Sequence, residues 1–456
     1  QGARDLTLTY CFACDMIVET YGFGCVVFMA WDSNTHFYRM GTKTNDSEPK
    51  LSDVLKYKRD IEPWLSAVFQ SEHLSLLLGS GFTSALANLA GASQTNMNRV
   101  SFGHPDPLPY EDRVNIVAEQ SAAACERGSA NMEDQIRVAL NLVEGLRITQ
   151  DPAVEEWTSA LNRVFRSLLE SVLTTEVGIL KCVHENTNEV EQTLVSFLLS
   201  FASRTASRER LNVFTTNYDR LIEYGCDLVG LRTIDRFFGT LTPLFRSSRI
   251  AVDMHYNPPG IRGEPRYLEG VVRLTKLHGS LDWRFEKNQL KRYGIPFGAP
   301  TNHSDFSGDP LHSVMIYPNP AKDVETLLFP YAELFRDFSS ALCRPNSALV
   351  VYGYGFGDDH INRVISDMLS ISSTHLVIIS WDHAGGRLET FLKRVGRQAQ
   401  ISLLVGHHYG DIKNLVNYYL PKPSIDDISI RRTALEARRD YAIESEGDAE
   451  QGSNDE

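Results

Sequence analysis

The sequence predicts an α/β fold: a Rossmann-like, mainly parallel sheet with a helical insertion subdomain. Three observations lead there. Short, almost continuous apolar runs occur at 74–78, 211–215, 271–277, 314–317, 348–352, 375–380 and 401–405, and strands buried on both faces read this way. Helical patterns lie between several of them, at 220–229, 321–342, 361–369 and 388–395, as parallel crossovers require. From 110 to 203 strand signals give way to apolar residues at helical spacing.

In chain order, residues 1–50 mix β-branched and aromatic residues with polar turns and read as a small β-rich N-terminal extension. Residues 51–420 form the main domain. Its first helix, over 51–70, carries the stripe Leu55, Ile61, Trp64, Leu65, Val68 and Phe69, with Pro63 opening a new helix in its first turn. The strand 74–78 runs through Gly79-Ser80-Gly81 into a helix at 83–89. In the insertion, Asn131 is placed to cap a helix that carries Met132, Ile136, Val143 and Leu146. Trp157, Leu161, Phe165 and Leu168 repeat the pattern, as do Val190, Leu194 and Phe201. A lid, an oligomer surface and plain core packing are all roles open to this insertion. Residues 286–312, rich in Pro, Gly, His and Asn, read as a surface loop. Residues 421–456 form a charged, partly disordered tail: a short charged helix is open to it after Pro421-Lys422-Pro423, and disorder is expected from 444 onward, where it is acidic and without aromatics.

Composition narrows the classes. At 456 residues the chain exceeds a single compact core, so two domains or one enlarged domain are expected. Hydrophobic residues at 42% and charged residues at 23% exclude wholesale disorder. A net charge of -13 argues against direct nucleic-acid binding by the chain as a whole. Seven scattered cysteines make no disulfide framework, so a reducing cytoplasm is expected. Cys11 and Cys14 have no second pair to complete a zinc site. They read as strand residues on alternate faces, with a redox motif as the other reading. Asp15 and Glu19 interrupt the apolar stretch 10–31, so neither a membrane span nor a signal peptide is expected.

Four motifs sit at the ends of apolar runs. Phe214-Thr215-Thr216-Asn217-Tyr218-Asp219 carries polar side chains to the carboxyl edge of the sheet, where open α/β folds bind ligands. By itself it reads equally as an Asx turn with a helix cap. Gly79, Ser80 and Gly81 form a strand–turn–helix element whose backbone N–H groups can approach a diphosphate, although Phe82 and Ser84 break the full dinucleotide fingerprint and a glycine turn without a ligand is an equal reading. Gly353-Tyr354-Gly355-Phe356-Gly357-Asp358 repeats the arrangement, with Asp358 placed to cap a helix or hold a ribose hydroxyl. Two such turns in one sheet suggest a dinucleotide. Lys276-Leu277-His278-Gly279-Ser280 ends another strand; a lone histidine there is more often structural, but beside a glycine and the polar strand end at Asn217 its imidazole also suits general-base work.

In order and context these motifs resemble the sirtuin superfamily over roughly residues 70–410, most closely its sirtuin-like NAD hydrolase branch from bacterial antiphage defence. The resemblance implies a Rossmann-like NAD+-binding fold with a helical subdomain over the nicotinamide pocket. By position it implies Gly79, Ser80 and Gly81 at the diphosphate, and Thr216, Asn217 and Asp219 near the nicotinamide ribose. His278 is then the catalytic histidine, and Gly353, Gly355 and Asp358 belong to a later cofactor loop. Zinc-bearing deacylases carry four cysteines in two pairs after the His-Gly segment, whereas only Cys343 lies beyond His278 here. No metal is therefore expected.

The expected function is NAD+ glycohydrolysis to nicotinamide and ADP-ribose in abortive infection. NAD+-dependent protein deacylation and a catalytically silent NAD+ or ADP-ribose sensor remain the alternatives. The resemblance further implies a homo-oligomer and a possible hexameric HerA-type ATPase partner, since the chain has no ATP-binding phosphate loop of its own.

Overall fold

In the computed structural model the described residues are 8–11, 16–20, 25–29, 37–41, 43–45, 54–94, 97–103, 105–124, 129–185, 189–205, 207–247, 255–256, 266–304, 314–316 and 329–422. Among the described residues the main sheet has nine strands: β1 (Phe37–Met40), β2 (Lys43–Asn45), β3 (His73–Leu78), β4 (Leu211–Thr215), β5 (Arg232–Ile234), β6 (Val271–Lys276), β7 (Ser347–Tyr352), β8 (His375–Ser380) and β9 (Ile401–Val405). Their order is β2-β1-β9-β8-β7-β3-β4-β6-β5. Every pairing from β9 to β5 is parallel, and only β1 and β2 join antiparallel at one edge. This is the α/β, Rossmann-like architecture that the apolar runs predict.

The helices that position the site are α1 (Val54–Phe69), α2 (Ser80–Leu89), α3 (Glu111–Ala124), α4 (Met132–Thr149), α5 (Ala153–Glu185), α6 (Glu189–Ala202), α7 (Leu221–Val229), α8 (Tyr331–Leu342), α9 (Asp359–Leu369) and α10 (Arg387–Val395). Side chains on alternate strand positions face opposite layers. Leu74, Leu76 and Leu78 of β3 pack with α1, α2 and α6, while Leu77 joins α8 and α9 on the other face. A third core fills α3, α4 and α5 around Trp157, and two residues from the sheet edge, Tyr218 and Leu281, are buried in it. The helical insertion is therefore packed onto the carboxyl end of the sheet. Asn131 caps α4 in a reciprocal box with Asp134, as its position predicts.

The chain leaves β3 and builds outward through β4, then restarts at β7 on the other side of β3 and builds outward through β8 and β9. The switch point lies between β3 and β7, and both glycine motifs stand there.

Four expectations need correction or relocation. The run at 314–317 is not in the main sheet: Val314–Ile316 pairs antiparallel with Gly279–Glu286 in a separate five-stranded sheet, because an apolar run specifies burial and not a partner. The expected loop from 286 begins as a hairpin, Gly279–Glu286 with Gln289–Arg292, turned by Lys287 and Asn288 at positive φ. Pro63 lies inside one continuous helix, α1, held by the burial of Tyr57, Ile61, Leu65 and Phe69 on both sides of it. Phe37–Met40 and Lys43–Asn45, within the segment read as an extension, form the sheet edge. The remaining expectations, at Cys14, 321–328 and 423–456, lie outside the described residues.

Candidate active site

The switch point is built by two backbones in contact. Gly79 N donates to Tyr352 O at 3.1 Å and Gly81 N to Gly353 O at 2.9 Å. A Cβ on Gly79 would lie 2.5 Å from Gly353 O, and one on Gly81 would lie 2.7 Å from Gly353 Cα. Gly353 also has φ +64, where side chains are disfavoured. The glycines are needed for this approach, and the Gly79 and Gly81 amides expected at a diphosphate are committed to the facing turn. Ser80 is the part of the motif that faces both neighbouring cavities.

Those cavities, of about 680 Å³ and about 670 Å³, meet at Ser80, Ser84, Gln94, Tyr354, Gly355 and Arg387. The first runs beneath the insertion toward β4 and β6; the second runs toward the ends of β8 and β9. Their waist lies at the N-terminus of α2, where the helix dipole favours an anion. Arg387 reaches this waist and donates from Nε to Gly355 O at 2.6 Å. The first cavity gathers Ser80, Thr216, Asn217, Asp219, His278, Gly355 and Asp358, and the second takes Gly81 and Gly353. Gly79 lines neither, but its carbonyl holds Asn217.

Asn217 is fixed by its amide. Nδ2 donates to Gly79 O and to Thr83 Oγ1, both at 2.9 Å, and its backbone N donates to Thr215 Oγ1 at 3.0 Å. Gly79 O can only accept, so the amide orientation follows from chemistry. With both N–H groups engaged, the carbonyl Oδ1 is the group left for a molecule in the cavity.

Thr83 joins Asn217 to Asp219, donating to Asp219 Oδ2 at 2.5 Å. Asp219 Oδ1 accepts from Leu221 N at 3.1 Å at the start of α7. Both carboxylate oxygens are thus engaged, and the carboxylate acts on the cavity through Thr83 and through its charge. Lys276, buried under the same loop, bonds Glu223 at 3.1 Å and donates to the Asp219 carbonyl. On the other side Arg220 donates to both oxygens of buried Glu176 on α5 and to the Ile295 and Pro296 carbonyls. Burial pushes the Tyr218 phenol well up, with the Glu133 carboxylate adding to it, so Tyr218 stays neutral and donates to Glu133 at 3.3 Å.

His278 is only 5% exposed, and its ring lies 5.8 Å from that of His360 in the first turn of α9. Asp358 holds the N-cap position of α9 without a capping bond, so of the two roles open to it in sequence it does not take the cap. Donor atoms of His278, Asp358 and His360 all lie within 4.8 Å of one another.

Sequence reasoning did not single out Thr83, Glu133, Glu176, Arg387 or His360. Only His360 had a local signal, its place two residues after Asp358. Among the described residues no helix is long and apolar enough to cross a membrane.

No curated protein matches the chain. Residues 211–399, which include the Asn217, His278 and Gly353 motifs, match the family model described as SIR2-like domain. Domains of this family use NAD+ as a substrate, and a two-lobed cleft with its waist at a helix N-terminus fits a dinucleotide. The match covers less than half of the chain and supports placing it, by the SIR2-like domain at residues 211–399, in the sirtuin-like superfamily.

Proposed function

We propose that the protein is an NAD+ glycohydrolase that releases nicotinamide and ADP-ribose. The observation that carries this reading is Asn217, whose two N–H groups are engaged by Gly79 and Thr83 so that only its carbonyl is presented, in the same cavity wall as Asp219 and His278. In the reaction the C1′–N bond breaks and its electron pair leaves with neutral nicotinamide. The ribosyl centre becomes oxocarbenium-like, and the buried Asp219 charge favours it. Water held by the Asn217 carbonyl attacks C1′, and His278 accepts the proton that this water loses.

The test is NAD+ turnover by the purified chain, with nicotinamide and ADP-ribose followed by chromatography. Asn217→Ala and His278→Ala are expected to reduce release by about 10²-fold or more. Full release by both variants overturns the assignment. An antiviral role in the cytoplasm, a homo-oligomer and a HerA-type ATPase partner belong to the same proposal and rest on the motif resemblance. Copurification from the native host without a large ATPase counts against that partner.

A further inference from the structure

We propose that His278, Asp358 and His360 form a site for a borderline-soft divalent metal of the Zn²⁺ class, and that the metal shuts off hydrolysis by taking the His278 imidazole. The second half rests on the function proposed above; the first does not.

The donors come from two elements that the fold holds together. His278 lies in the turn after β6, while Asp358 and His360 open α9 directly after β7, which β4 and β3 separate from β6 in the sheet. Both imidazoles are buried, at 5% and 7% exposure. Phe335 packs edge-on against the His360 ring, with centroids 4.6 Å apart, which limits the orientations that ring can take. The three donor atoms lie within 4.8 Å of one another. Zinc bonds of about 2.0–2.1 Å in a tetrahedron place neighbouring donors roughly 3.3 Å apart. The closure needed is therefore at most about 1.5 Å between any two donors, shared among three side chains.

Two imidazoles and one carboxylate are the protein ligands of an open zinc site, with the fourth position left to water or another small ligand. Here His278 and Asp358 line the cavity of about 680 Å³, which supplies that water. The same donors suit Zn²⁺ or Co²⁺ better than Mg²⁺ or Ca²⁺, which prefer oxygen ligands. The consequence for catalysis is exclusion. One imidazole lone pair cannot bind metal and accept a proton at the same time, so a loaded site is an idle one. No metal is a cofactor in this scheme; it is a restraint on an activity that would deplete NAD+.

The experiment uses the full chain stripped with chelator. Co²⁺ is titrated and read by its visible absorption, Zn²⁺ is titrated by calorimetry, and Mg²⁺ serves as the contrast. The expected result is one equivalent of Co²⁺ or Zn²⁺ and no comparable Mg²⁺ binding. Affinity should fall at least about tenfold in His360→Gln and, separately, in Asp358→Asn. Asn217→Ala should bind metal as the unaltered chain does, because Asn217 is not a ligand. Thermal melts identify a variant that fails to fold, and the other variant then decides. Absence of stoichiometric binding, or binding indifferent to both substitutions, overturns the site. In the turnover assay Zn²⁺ should inhibit with the midpoint of its binding, and chelator should restore activity. Metal binding without inhibition overturns the regulatory half. Failure of the proposed hydrolysis leaves the metal titrations readable on their own.

Discussion

The Arg220 guanidinium meets the Glu176 carboxylate at 2.6 Å, with Glu176 fully buried and Arg220 nearly so. The pair ties α5 of the insertion to the loop that carries Asn217 and Asp219. Arg220 also holds the Ile295 and Pro296 carbonyls, so three segments converge on one side chain. Removing one partner leaves a buried charge, which costs more than the pair itself contributes. Glu176→Ala is expected to destabilise the protein by about 3–5 kcal/mol in urea titrations. The double change Glu176→Leu with Arg220→Met should recover part of this, because it removes both charges but leaves the Ile295 and Pro296 carbonyls without their donor. A loss under about 1 kcal/mol for Glu176→Ala would show that the pair does not carry this junction.

Thr83 offers a cleaner test of site geometry. Its hydroxyl accepts from Asn217 and donates to Asp219, and the residue is 8% exposed. Thr83→Val keeps the shape and removes both bonds. Asp219 then loses a charge-assisted contact worth about 1.5–3 kcal/mol, and Asn217 a neutral one worth about 0.5–1.5 kcal/mol. If the chain carries out the proposed NAD+ cleavage, the expected outcome is a kcat lowered by about ten- to a hundredfold, with KM little changed. Thr83→Ser should retain most activity. Equal kcat values for the Val variant and the unaltered enzyme would remove Thr83 from the machinery.

Glycines divide by what a methyl group would meet. Gly81→Ala places Cβ 2.7 Å from Gly353 Cα, so two backbones must separate. A loss of at least about 2 kcal/mol is expected, together with weaker NAD+ binding, since the waist of the cleft opens. Gly145 is exposed inside α4, and a methyl group added there would have nothing within 4 Å. Gly145→Ala should stabilise by about 0.5–1 kcal/mol. Thermal melts and NAD+ calorimetry on the two variants check the contrast; similar behaviour of both would refute the switch-point argument.

How much of this was legible in the sequence follows from the range of each interaction. The strands β3, β4, β7, β8 and β9 announce themselves because burial on both faces leaves a nearly continuous apolar run, while β6 interrupts its run with half-buried Arg273 and Thr275. Asn217, Asp219 and His278 stand directly after such runs, so their place at the sheet edge is a local property. Thr83 is different. It meets Asp219 across 136 residues of sequence, and nothing near either residue signals the other. Glu133 reaches Tyr218 across 85 residues and Glu176 reaches Arg220 across 44, each from the insertion. The glycine motifs were legible as turns, but the use of their amides was not. That use depends on β3 and β7 being neighbours, which a parallel topology decides and a local pattern does not. The strand at 314–316 was misplaced for the same reason.

His375 at the start of β8 is held by Ser402 Oγ at 2.9 Å and lies edge-on to Trp64, which donates to the same hydroxyl at 2.8 Å. Burial pushes its imidazole down to about 4 from the ordinary 6.5. In the unfolded chain the ring takes up a proton near its ordinary value, so below that pH the unfolded state binds more protons than the folded one. Stability from this residue is therefore complete above about pH 6.5 and is lost as pH falls toward about 4, to a total of about 2–3 kcal/mol. His375→Gln removes the titrating ring and keeps a hydrogen-bonding group for Ser402. Urea midpoints measured at about pH 7.5, 5.5 and 4.5 should fall more steeply for the unaltered chain than for the variant, with the curves converging as pH falls. Parallel curves would mean that His375 takes up its proton equally in both states, and that its burial does not hold the ring neutral.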